Sequence, residues 1–135
     1  MLERSTINGK PFVVSGGMDR RVAWAILEME RRIAEPLRVA DLAVGVNLSV
    51  SRFTLVFRAS TGRSPAQHLR RLRLERARML LETTFLSVKE VRALVGINDG
   101  SHFTRDFAQA YGASPRVWRQ RIPRPPPVPG SALVC

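Results

Sequence analysis

The sequence predicts an all-α fold of seven helices, arranged as two helix-turn-helix lobes joined by a long central helix. Three observations predict it. First, residues 51–65 (SRFTLVFRASTGRSP) recur as residues 101–115 (SHFTRDFAQAYGASP). Ser51, Phe53, Thr54, Phe57, Gly62, Ser64 and Pro65 reappear fifty positions later as Ser101, Phe103, Thr104, Phe107, Gly112, Ser114 and Pro115. Second, apolar residues return every three or four positions, the period of a helix with one buried face. Third, no alternating strand pattern occurs in the core region. The chain has 135 residues, enough for one domain with a real core but too few for two ordinary ones. A repeat of this size therefore makes two half-sized lobes.

The elements follow in order. Residues 1–18 read as a flexible segment or linker, with a turn at Asn8-Gly9 and a short apolar stretch at Phe12-Val13-Val14. Asp19 caps a first helix expected to run to about Ala34, with Val22, Ile26, Met29 and Ile33 on one face. Pro36 ends it. A second helix spans Val39 to about Val44, and Asn47 marks a left-handed turn. Ser49 caps a third helix from Val50 to about Ser60, carrying Phe53 and Phe57 inward, and Gly62 stops it.

Ser64-Pro65, a cap followed by a first-turn proline, restarts the chain. The fourth helix runs to about Glu82, with Leu69, Leu72, Ala77, Leu80 and Leu81 as its apolar stripe and many arginines around it. Ser87 and Glu90 form a capping box for the fifth helix. Gly96 breaks that helix, Asp99 or Gly100 opens the sixth, and Gly112 closes it. Ser114-Pro115 begins a short last helix through Trp118 to about Arg121. The boundaries read as lobe one 19–63, linker helix 64–82, lobe two 83–122 and a Pro-rich disordered tail 123–135.

Charge narrows the partner. Lys and Arg number 22 against 11 Asp and Glu, a formal net charge of +11, and only Lys10 and Lys89 are lysines. Arginine presents a planar fork matched to phosphate and to the guanine edge, so double-stranded DNA is the expected partner. The lone cysteine, Cys135, excludes a disulfide framework and suits a reducing cytoplasm. His68 and His102 have no cysteine or acidic cluster at ligand spacing, so no metal or other cofactor is expected. No nucleophile–base arrangement or glycine-rich phosphate loop points to an enzyme. No signal peptide or membrane-length apolar run is present, and a cytoplasmic protein is expected.

Each half of the repeat, 39–60 and 88–110, is helix, tight turn, helix. In this homeodomain-like plan the second helix enters the major groove. The connecting helix is roughly 25 Å long. With the width of the lobes added, that length suits recognition helices in successive grooves about 34 Å apart.

The sequence resembles the DNA-binding domain of the AraC/XylS family of bacterial transcription regulators over residues 20–121. The resemblance rests on Leu42-Ala43, Leu48-Ser49, Phe53 to Phe57, Gly62-Arg63-Ser64-Pro65 and the run Arg73 to Leu81. It continues through Ser87 to Val91 and is most specific over Gly96 to Phe107, closing with Gly112-Ala113-Ser114-Pro115. It implies a bipartite DNA reader, commonly an activator that contacts RNA polymerase, here without the effector-sensing domain of larger regulators. Three positions depart from the family pattern. Leu55 stands where arginine is common, though leucine can still touch a thymine methyl. Arg92 stands where a small residue packs, so its stem is expected to snorkel outward. Gly45 weakens the second helix by up to about 1 kcal/mol relative to alanine.

Site residues follow from helical position. In the third helix, Ser51, Arg52 and Thr54 lie opposite Phe53 and Phe57 and are expected at base edges together with Leu55. In the sixth, Gly100, Ser101, Thr104 and Arg105 hold corresponding positions. Arg105 is the expected bidentate guanine contact, its alternative being a salt bridge to Asp106 or Glu90. Phosphate contacts are expected from the amide ends of these helices and from Ser49, Arg58, Arg63 and His102. Two rival readings are a protein-interaction module whose base reading has been lost through Leu55 and Arg92, and a charge-driven binder of any nucleic acid.

Overall fold

A computed structural model describes residues 18–121. The expectations for the N-terminal segment, Met18 apart, and for the Pro-rich tail lie outside the described residues. Seven helices occur among the described residues: α1 (Arg20–Arg31), α2 (Val39–Gly45), α3 (Val50–Thr61), α4 (Pro65–Thr83), α5 (Val88–Leu94), α6 (Gly100–Tyr111) and α7 (Pro115–Arg121). The chain divides into two compact units, with the break inside α4 between Arg73 and Leu74.

Local chemistry explains most helix ends. Asp19 accepts a hydrogen bond from Arg21 N–H, Ser49 from Arg52 N–H, Ser87 from Glu90 N–H and Asp99 from His102 N–H. Each serves an amide that lacks an intrahelical partner. Ser64 and Gln67 cap α4 reciprocally, at 3.2 and 3.0 Å. At the C-termini of α3 and α6, Gly62 and Gly112 adopt φ of 79° and 86°, the left-handed region that a side chain would strain. Asn47 takes φ of 60° in the α2–α3 turn, as expected of an asparagine.

One boundary differs clearly from expectation. The first helix stops at Arg31, not Ala34. The carbonyls of Ile33 and Glu35, which a continuing helix would orient along its axis, instead accept from Arg73 Nε and Nη2 at 3.1 and 2.7 Å. Pro36 follows immediately and cannot extend the helix.

In the first unit, Val22, Ala25 and Met29 of α1 pack with Leu42 of α2 and with Phe53 and Phe57 of α3. In the second, Leu74, Ala77 and Leu81 take the place of the α1 residues, packing with Val91, Phe103 and Phe107. The i, i+3, i+7 spacing is the same in both. Hence the C-terminal half of α4 does for the second unit what α1 does for the first. Leu69, in the N-terminal half, belongs to the first core. This division explains why Leu74 fell outside the single stripe expected along the fourth helix. The phenylalanine pairs meet edge to face at 5.7 and 5.8 Å, and all four rings are buried. The repeat also extends beyond Pro65 and Pro115. His68 packs edge-on against Phe57, and Trp118, fifty positions later, packs edge-on against Phe107.

No single helix among the described residues is long and apolar enough to cross a membrane.

Candidate nucleic-acid interface

The α2–α3 pair bends by 89° across its break, within the range of a helix-turn-helix. Both turns close through equivalent bonds: Leu48 N–H donates to Ala43 O at 3.0 Å, and Ile97 N–H to Arg92 O at 3.1 Å. Position 43 therefore corresponds to position 92. Between these bonds and the helix caps, Ser49 and Asp99, the second turn holds one more residue than the first. Ala43 is buried in its core, whereas Arg92 is half-buried.

Burying the two phenylalanines of α3 turns a mixed face outward. Ser49, Ser51, Arg52, Leu55 and Arg58 are exposed, and Thr54 is half-buried. Ser49 accepts from Arg52 N–H at 3.1 Å, which leaves its own hydroxyl proton available to an outside acceptor. Arg63 lies beyond Gly62, half-buried, its amide donating to Thr61 Oγ1. Leu55 is 63% exposed, a large apolar side chain presented to solvent.

The face of α6 is more sharply organised. Asp99, Gly100, Ser101, Thr104 and Arg105 line one shallow, open stretch of surface, so the four residues expected to read bases from this helix share one face. Thr104 Oγ1 donates to Gly100 O at 3.0 Å, which fixes its rotamer and leaves oxygen lone pairs outward. No ion pair among the described residues engages Arg105. The alternative partner Glu90 is occupied in its capping box with Ser87.

His102 is differently placed from a simple phosphate ligand. Its Nδ1 lies 2.9 Å from Asp99 Oδ2, both side chains being more than half exposed. That leaves Nε2 as the outward atom. The Asp99 carboxyl is held below its usual range, chiefly by the hydrogen bond from His102 N–H, so the acidic cap persists at neutral pH.

Arg92 does not snorkel into solvent as expected. Nη1 donates to Asn98 O at 2.6 Å, with Ile97 O at 3.4 Å. The extra turn residue supplies the closer acceptor, so the long side chain and the longer turn match each other. Gly45 also acquires a reason. A Cβ there would lie 2.3 Å from Trp24 Cη2, so glycine admits the indole of α1 against the end of α2.

Several arginines that add to the basic charge are structural. Arg73 ties down the end of α1, and burial lowers the pKa of its guanidinium. Arg119 donates to the carbonyls of Leu81, Thr84 and Leu86, fastening the end of α4. Arg78 lies over the Tyr111 ring at 5.2 Å and pairs with Glu82, which also accepts from the Trp118 indole at 3.0 Å. Sequence reasoning missed these clamps.

A family model described as a helix-turn-helix domain matches residues 42–121. A transcriptional regulator with an AraC-type DNA-binding domain from Chromobacterium violaceum superposes with a TM-score of 0.72 at 30% identity, covering 79% of this chain and 96% of that one. The DNA-binding domain of AdpA, a global transcriptional factor solved in complex with a target DNA, gives a TM-score of 0.71 at 30% identity, covering 74% of this chain and 90% of that one. The MmsAB operon regulatory protein of Pseudomonas aeruginosa is 37% identical over 94 residues, which are 70% of this chain but 31% of that protein. The chain thus spans about a third of the length of this curated relative. None of these is an enzyme by name or fold, and the match falls on the two lobes described above. The chain belongs to the AraC family of transcription regulators and carries their helix-turn-helix DNA-binding domain.

Proposed function

We propose that this domain is a sequence-specific reader of double-stranded DNA, with α3 and α6 as recognition helices entering successive major grooves. The observation that carries the reading is the face of α6. Ser101, Thr104 and Arg105, which forms no ion pair with a described residue, line one shallow, open face of the helix whose other side buries the edge-to-face Phe103–Phe107 pair. An exposed cation held on a well-packed helix suits a bidentate contact with guanine O6 and N7. Ser101 and Thr104 supply shorter hydroxyl contacts beside it. On α3, Ser51, Arg52, Thr54 and Leu55 face the groove. Ser49, Arg58, Arg63 and His102 reach phosphates, which set register without carrying sequence.

In this reading the domain acts on the nucleoid as part of an activator, and RNA polymerase is its protein partner at the promoter. The family resemblance supports that role, and so does similarity to the HTH-type transcriptional activator RhaR of Cronobacter sakazakii, 39% identical over 66 residues. The test is selection of bound duplexes from a random pool, followed by affinity measurement at physiological salt. A selected site of about two helical turns is expected to bind roughly a thousandfold tighter than random duplex. Equal affinity for both would replace this reading with charge-driven binding. Arg105→Ala should flatten preference at one or two base pairs; a uniform loss over all sequences would assign Arg105 to phosphate.

A further inference from the structure

Arg92 belongs to α5, the helix not expected to touch bases, yet its guanidinium lies at the mouth of α6. Nη1 is committed to the turn carbonyls of Asn98 and Ile97. Nε and Nη2 donate to no described residue. A Cβ on Gly100 would sit 3.5 Å from Arg92 Cζ, 3.6 Å from Nε and 3.8 Å from Nη2. Gly100 is the first residue of α6 and has no side chain, so the free edge of the guanidinium adjoins the first turn of that helix. The same turn carries the Asp99 carboxylate, more than half exposed and charged at neutral pH. A carboxylate at the leading end of a recognition helix repels the DNA backbone. His102 Nδ1 meets one side of it, and Arg92 places a full positive charge beside Gly100 in the same turn.

We infer that Arg92 is a phosphate-binding residue of the second lobe: one guanidinium nitrogen braces the α5–α6 turn while the remaining edge holds a backbone phosphate of the duplex beside Gly100. The inference rests on α6 being a recognition helix. The position explains why a long cation stands where the first lobe has the buried Ala43. The turn is longer by one residue, Asn98 accepts from the near nitrogen, and Gly100 leaves the far edge open.

The experiment is a salt titration of duplex binding by the full chain, between about 50 and 200 mM salt, using the selected site. Each phosphate neutralised contributes about 0.9 to the slope of log affinity against log salt. Arg92→Gln keeps a donor for the turn carbonyls and removes the charge; Arg92→Met keeps the stem and removes both. Either variant that melts cooperatively should lose close to one unit of slope, with a larger affinity loss at low salt than at high. Arg92→Lys should retain the slope. A neutral variant with an unchanged slope would overturn the inference and leave Arg92 as a turn brace alone. Loss of selected-site preference in the wild type would instead remove the recognition-helix reading, an outcome scored on a different measurement.

Discussion

Replacing Gly45 with alanine sets two effects against each other, and the structure decides their order. Helix propensity alone favours alanine by up to about 1 kcal/mol, and by less here because Gly45 is the last residue of α2. Opposing this, the new methyl would stand 2.3 Å from Trp24 Cη2 and 2.9 Å from Cζ3. The indole edge must retreat by about 1 Å to reach ordinary contact, which forfeits a quarter to a half of the dispersion well for the atoms that move. Trp24 is 38% exposed, so its buried part is about 150 Å², a contribution on the order of 4 kcal/mol. Losing a quarter to a half of that is about 1–2 kcal/mol, and residual overpacking strain brings the cost to about 2–3 kcal/mol. Gly45→Ala is therefore expected to destabilise the first unit by about 1–2 kcal/mol net. Trp24→Leu removes the ring atoms in conflict. In that background, Gly45→Ala should become neutral or stabilising. Urea unfolding of the four proteins, followed by helical circular dichroism, measures the cycle through midpoints at constant slope. The reasoning is refuted if Gly45→Ala stabilises the wild type, or if the two substitutions add to within about 0.5 kcal/mol.

Three further outcomes follow from the same contacts. Leu55 is exposed on the face of α3 and its apolar partner in a major groove is the thymine methyl, so replacing single thymines by uracil in the selected site should cost roughly fourfold at one position. That sensitivity should vanish in Leu55→Ala, and a uracil scan without effect would take Leu55 out of the groove. Arg119→Met leaves the carbonyls of Leu81, Thr84 and Leu86 without their donor and should cost about 1–3 kcal/mol of stability with no change in salt slope; a changed slope would mean that Arg119 also meets DNA. Asp99 is held low in the folded state, so its cap contributes above the ordinary carboxylate range and is lost as pH falls through the folded value. The stability advantage of wild type over Asp99→Asn should therefore shrink on acidification below that range; an advantage that grows would reverse the sign.

Helix caps, stops and the phenylalanine core were legible because each is local. Ser49 sits three residues before the amide it serves, Gly62 supplies a left-handed φ where the helix ends, and Phe53 and Phe57 are four apart. The clamps were not legible, because each joins residues far apart in sequence. Trp24 meets Gly45, and Arg73 meets Ile33 and Glu35. Arg119 reaches carbonyls more than thirty residues earlier. A count of arginines cannot separate those whose donors are consumed by helix-end carbonyls from those left for phosphate. The net charge of +11 therefore overstates the charge offered to DNA. The faces of α3 and α6 were legible as positions. Which of their side chains are already engaged, such as Thr104 with Gly100 or His102 with Asp99, needed the structure.

The same distinction bears on how the two lobes differ. α3 carries Arg52 and Arg58 without an acidic residue and is capped by the neutral Ser49, whose hydroxyl proton is free to donate. α6 carries Arg105 against Asp106 and is capped by the ionised Asp99. On charge alone α3 would favour a DNA backbone and α6 would oppose it. In the proposed reading the second is the better equipped to read bases, with Arg105 standing where the first has Leu55. A lobe that reads well but is repelled needs a cation from outside its own recognition helix, and α5 supplies one at Arg92. Neutralising Arg92 should therefore cost more affinity than neutralising Arg58, because Arg92 is the proposed backbone contact of a lobe whose recognition helix carries two acids, Asp99 and Asp106, while Arg58 adds to a helix that is already cationic.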